Sequence, residues 1–173
     1  YFRDAFEDAD LDLYPNFYEY VYSTEPTNAL SLPTPTVVVS GLIQDAIDSA
    51  TQEYAIVQIP AGTHTGNLDI GFGGAEILLV SEDGAETCVM DCESAGRGFT
   101  FTDSETPWSM VSGITVQRGS ATNGGGVYLT NSSPTFIHCT IWSNEATDSG
   151  GGIYTKYSCP YFIDCDVRDN YAD

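Results

Sequence analysis

The run Asp8-Ala9-Asp10-Leu11-Asp12, with Asn16 following, has a spacing suited to metal chemistry. Alternate carboxylates can converge on one hard cation, as they do at the start of a calcium loop. Leu13 stands where such loops carry glycine, and the same alternation also describes a half-exposed strand. Calcium at Asp8, Asp10 and Asp12 and a plain solvated face are therefore both open readings, and no other cofactor is indicated.

Other reactive groups are sparse. Glycoside cleavage needs two carboxylates about 5 to 9.5 Å apart. Asp164 and Asp166 could share a face, but the positions 26 residues earlier hold His138 and Thr140, so no acidic patch builds by repetition. His64 and His138 lie in no nucleophile motif, and the glycine triplets 124–126 and 150–152 lack the Lys and Ser/Thr of a phosphate loop. The five cysteines, Cys88, Cys92, Cys139, Cys159 and Cys165, are odd in number with no CxxC spacing, which argues against a zinc site; at most two disulfides can form, and buried core thiols are the other reading. No catalytic residue is assigned.

Charge narrows the partners. Twenty-five Asp and Glu against five Lys and Arg give a net charge of -20, which excludes nucleic acid, because tracking a phosphate backbone requires clustered cations. No apolar run is long enough to span a bilayer.

The elements that position these groups follow from an internal repeat. Residues 124–147 align with 150–173 at an offset of 26 without a gap, sharing Tyr128/Tyr154, Ser132/Ser158, Pro134/Pro160, Phe136/Phe162, Ile137/Ile163, Cys139/Cys165 and Asn144/Asn170. An offset of 25 places Thr115-Val116 over Thr140-Ile141. Fixed periods of this size indicate a solenoid. Glycine triplets, a proline and abundant Thr, Ile, Val, Tyr and Phe make its units short strands rather than helices. Strict alternation from Phe136 would bury His138, so the phase breaks between residues 137 and 139, at a corner. Gly119, Asn144 and Asn170 mark a second corner, where a left-handed backbone is expected, with an amide ladder and a Tyr128/Tyr154 stack along the axis.

These residues carry a family resemblance over residues 42–173. IQDAIDSATQEYAIVQIPAGTHTGNLDI resembles the N-terminal cap and first coil of pectin-lyase-like right-handed parallel β-helix proteins. The GGGVY and GGGIY blocks are similar to those of secreted β-helix repeat proteins related to polymorphic outer-membrane proteins. The resemblance implies a right-handed parallel β-helix and a place outside the cell or on its surface; it implies no single activity, since the superfamily includes lyases, hydrolases, adhesins and filament components.

The expected organisation is an all-β solenoid of about 4 to 5 coils over residues 41–173, plugged by a short amphipathic helix with Ile43, Ala46, Ile47 and Ala50 on one face. Residues 1–40 form an aromatic, acidic arm. Phe17 to Tyr22 and Pro35 to Val39 have strand character, with Phe17, Tyr18, Tyr20, Tyr22, Val37 and Val39 as candidate assembly residues. Because the sequence stops on a completed repeat, these strands are expected to add to the open end of a neighbouring copy. Asn131 opens an Asn-Ser-Ser sequon, and Thr34 and Thr36, between prolines, are candidate O-glycan sites. The expected role is a structural subunit of an extracellular filament or surface assembly; the alternatives are an adhesin or carbohydrate-binding module and, third, a polysaccharide-active enzyme.

Overall fold

A computed structural model of the protein describes residues 6–173; Tyr1 and Phe2, the first aromatics of the arm, lie outside the described residues. The chain runs through α1 (Asn16–Tyr22), β1 (Val37–Val38), α2 (Ile43–Ser49), β2 (Ile56–Ile59), β3 (Gly62–His64), β4 (Leu78–Ser81), β5 (Cys88–Asp91), β6 (Phe99–Phe101), β7 (Met110–Ser112) and β8 (Thr115–Gln117). It continues through β9 (Ser120–Asn123), β10 (Val127–Thr130), β11 (Thr135–Ile137), β12 (Thr140–Trp142), β13 (Glu145–Ser149), β14 (Ile153–Lys156), β15 (Tyr161–Ile163), β16 (Asp166–Arg168) and β17 (Tyr171–Ala172).

All pairing is parallel, and the strands form four sheets: β1-β2-β4-β7-β11-β15, β3-β5-β8-β12-β16, β6-β10-β14 and β9-β13-β17. This is a parallel β-helix of about four turns. The repeat alignment is the strand register: Phe136 pairs with Phe162, Ile141 with Val167, and Tyr128 with Tyr154. Inside, Val57, Leu79, Val111, Phe136 and Phe162 stack in one column. The Phe136 and Phe162 rings lie 5.0 Å apart at 10°, and those of Tyr128 and Tyr154 lie 5.3 Å apart at 6°.

The corner expected between residues 137 and 139 is His138, whose φ of 50° places it in the left-handed region, as do the 65° and 49° of its counterparts Gly113 and Asp164. The second corner requires a correction. The left-handed residues there are Arg118, Ser143 and Asp169, with φ of 53°, 56° and 52°, one position before Gly119, Asn144 and Asn170. The asparagines serve instead as an inward ladder. Asn144 donates through Nδ2 to Oδ1 of Asn170 at 3.0 Å, and its own Oδ1 accepts the Gly119 N–H at 2.7 Å. Gly126 is needed because an added Cβ would lie 2.6 Å from Gly152 O of the adjoining coil, whereas Gly124 and Gly150 adopt the left-handed backbone, with φ of 63° and 67°.

The capping helix forms as expected: α2 buries Ile43, Ala46 and Ile47 in the main core. The arm differs from expectation. Residues 17–22 belong to a helix, α1, preceded by Pro15 and ended by Ser23 in the left-handed conformation. Tyr14, Tyr18 and Tyr22 recur every fourth residue and turn inward, whereas Tyr20 is 80% exposed; a strand would have put Tyr18, Tyr20 and Tyr22 on one face.

The arm packs on the outside of the six-stranded sheet. Phe6, Tyr14 and Tyr18 cover Ile56, Leu78, Val80, Met110 and Ile137, with Phe17, Tyr54 and Trp108 at the margin. The strand character of residues 35–39 is realised in β1, which pairs with the chain's own β2, Val37 opposite Val57, while Val39 enters the main core.

Candidate functional site

The densest set of chemical groups is the turn that brings the arm onto the sheet. Asp8, Asp10 and Asp12 each offer a carboxylate oxygen, and the three oxygens lie within 4.8 Å of one another. Two main-chain bonds curl the turn: Asp12 N–H and Leu13 N–H donate to the two oxygens of Asp8 at 3.0 and 2.8 Å. Tyr14 N–H donates to Asp12 Oδ1 at 2.9 Å. The Asp8 side chain is fully buried although its main chain meets solvent, and its Oδ2 lies 3.3 Å from His138 Nε2 on the corner after β11.

These surroundings split the carboxyls. Burial would raise that of Asp8, but the His138 contact and the Leu13 and Asp12 N–H bonds outweigh it and hold it below the ordinary value. The same contact, opposed by burial, raises His138. Burial is the largest influence on Asp12, which is pushed up to about 6, and on Glu19 of α1, pushed up to about 7 with the charges of Asp12, Asp10 and Asp8 adding to it. The plain half-exposed strand weighed for residues 8–12 does not form; the segment is a turn with its acids inside.

Beside this turn lies a groove of about 780 Å³ lined by Phe6, Asp8, His138, Tyr161, Phe162 and Asp164. Asp164 and Asp166 do not form a joint site. Asp164 occupies a corner, and Asp166 on β16 accepts a 2.6 Å bond from Arg168. His64 is held by the Pro60 carbonyl at 2.8 Å.

The remaining sites are dispersed. Asn131 is exposed, with φ of 52°, just past β10, where a glycan would have room. Thr34 is exposed. Thr36 is also exposed, and its Oγ1 is bonded to Tyr22 OH at 3.2 Å, Gln52 Nε2 at 2.8 Å and Ile56 N–H at 3.1 Å. Of the candidate assembly residues, Tyr18 is fully buried with its hydroxyl donating to Trp108 O at 3.3 Å, Phe17 stacks 4.4 Å from Trp108, and Tyr22 bonds to Tyr54 O at 3.1 Å. Only Tyr20 of that aromatic set points to solvent. The five cysteines are free thiols, and burial pushes Cys88 and Cys92 up to about 12, which leaves them unreactive.

Glu19 was missed from sequence. The signal was its place eleven residues after Asp8, obscured by reading residues 17–22 as a strand. No helix among the described residues is long and apolar enough to cross a membrane. No family model matches the chain, and neither a curated protein nor a solved structure is similar to it.

Proposed function

We propose that this protein is an extracellular structural subunit, a β-helical rod that stacks end to end with further copies of itself in a filament or surface layer. The observation that carries the reading is the regular stacking of coils in register along four parallel sheets. β14, β15, β16 and β17 are each the last strand of their sheet, so one whole coil presents its outward N–H and C=O groups together. Val167, 48% exposed there, continues the column of Ile141 and Val116, which are buried one and two coils below. The edge of such a coil pairs with a further coil, whether of the same chain or of another copy, and between copies a contact of two different ends propagates as a fibre unless its rotation closes a ring.

Coil stacking is the favoured route, because β1 pairs with the chain's own β2 and α1 packs on its own sheet. The resemblance of the GGGVY and GGGIY blocks to secreted repeat proteins related to polymorphic outer-membrane proteins supports the extracellular setting, where Asn131 would carry a glycan. A carbohydrate-binding module is the second reading, favoured by the groove in which Phe6 and Tyr161 stand beside Asp164 and His138.

Sedimentation velocity over a range of concentrations tests the first reading. Large polymers are expected from the wild type and monomers from Val167→Asp, which sets a charge over the exposed end of the core. A wild type that stays monomeric at every concentration and retains glycans on an array would replace it with the second.

A further inference from the structure

The turn of residues 8–19 has the layout of a twelve-position calcium loop, in which positions 1, 3, 5, 7, 9 and 12 face the ion and position 12 is a glutamate. Counting from Asp8, these are Asp8, Asp10, Asp12, Tyr14, Asn16 and Glu19. Position 6, ordinarily glycine because the loop turns sharply there, is Leu13, and its φ of 79° adopts the left-handed backbone that glycine would supply.

A second observation is independent of that spacing. Glu19 is fully buried, and both its carboxylate oxygens lack a hydrogen-bond partner, as do both oxygens of Asp10 and Oδ2 of Asp12. The charges acting on Glu19 are those of Asp12, Asp10 and Asp8, all of its own sign. Buried carboxylate oxygens without donors, near charges of their own sign, are strongly unfavourable unless a proton or a cation neutralises them.

We propose that residues 8–19 bind one calcium ion through the side chains of Asp8, Asp10, Asp12 and Asn16, the Tyr14 carbonyl and a bidentate Glu19, and that the ion locks the arm onto the β-helix. The donors are all oxygen and number about seven with Glu19 counted twice, which suits calcium and exceeds the octahedral set of magnesium. The loop is tied to the β-helix at its start and its middle: Asp8 meets His138, and the Leu13 carbonyl accepts the Ser112 hydroxyl at 2.7 Å. Glu19 lies within α1, next to the Tyr18 that fills the outer cluster. Ordering the loop therefore fixes the whole cover over Ile56, Leu78 and Val80.

The test is calorimetric titration of the EDTA-treated full chain with CaCl2 and, separately, MgCl2, with far-UV circular dichroism confirming the β-helix. One calcium per chain is expected, with a dissociation constant between about 10⁻⁷ and 10⁻³ M and weaker magnesium binding. Glu19→Gln and Asp10→Asn should each weaken calcium binding at least about tenfold, the scale on which lost metal-site groups act. Calcium should also slow chymotrypsin cleavage within the arm of the wild type but not of Glu19→Gln. A purely structural carboxylate would not produce the remaining signature: Glu19→Gln should melt above the wild type in EDTA and below it in calcium. Absence of binding at about 10 mM calcium, above the range of the weakest such loops, would overturn the proposal. So would unchanged binding in both variants, or magnesium bound as tightly as calcium.

Discussion

Asn144 and Asn170 are linked by two bonds into the Oδ1 of Asn170, one from the Asn144 side-chain amide and one from its backbone N–H, both 3.0 Å long. The same Asn144 amide also reaches Val116 O at 3.1 Å. One side chain thus joins three successive coils, through main-chain groups of two and the Asn170 side chain of the third, at a position only 1% exposed.

Removing it strands several polar groups at once. Asn144→Ala should cost about 1 to 3 kcal/mol, the penalty for leaving buried partners unpaired, and Asn170→Ala on the last coil should cost less. Denaturant titration of the two variants side by side checks the order.

The phenylalanine column should show the same gradient. Phe136, 1% exposed between Val111 and Phe162, should lose about 3 to 5 kcal/mol on truncation to alanine, and Ile141→Ala about 2 to 5 kcal/mol. Phe162, only half-buried at the edge, should lose less than Phe136. That difference holds for single copies; at concentrations where copies stack the two losses should converge, because the next copy covers Phe162.

Tyr18 is the side chain on which the arm depends most, since it is fully buried against the sheet's outer face. Tyr18→Ala should destabilise by about 3 to 5 kcal/mol. If the arm detaches, dye binding to exposed apolar surface should rise and the Trp108 fluorescence should shift to the red, while the β-sheet circular dichroism persists.

The Asp91–Arg118 pair should make stability acid-sensitive. Burial would raise the Asp91 carboxyl, but the paired guanidinium bonds from Arg118, at 2.7 and 2.6 Å, together with the Glu93 N–H and Gln117, hold it below its ordinary value. A carboxyl lower in the folded than in the unfolded chain binds fewer protons when folded, so its stabilisation is present above about pH 4 and is lost as the pH falls further. Asp91→Asn should flatten the stability profile between about pH 4 and 2, measured as denaturation midpoints across that range.

The repeat made the β-helix legible before any coordinates, because a constant offset of 25 or 26 residues is the register of stacked strands. The arm was harder to read for a physical reason. Leu78-Leu79-Val80, Met110-Val111 and Phe136-Ile137 are apolar at successive positions, the mark of strands buried on both faces. That pattern called for a cover, and Tyr14, Tyr18 and Tyr22 at a spacing of four describe one, but the aromatic content favoured a strand with a spacing of two. The same choice hid Glu19, whose relation to Asp8 matters only once the chain between them turns back. The left-handed corner was displaced by one residue because Gly and Asn there serve close packing and the amide ladder rather than backbone torsion.

The most direct test of the structural role is cryo-electron microscopy of the purified protein at high concentration in calcium. Filaments are expected in which the strand spacing of about 4.8 Å continues across each subunit junction, with β14–β17 of one copy covered by the next. Single short rods at every concentration, or fibres joined through the sides of the β-helix with those edges bare, would contradict it.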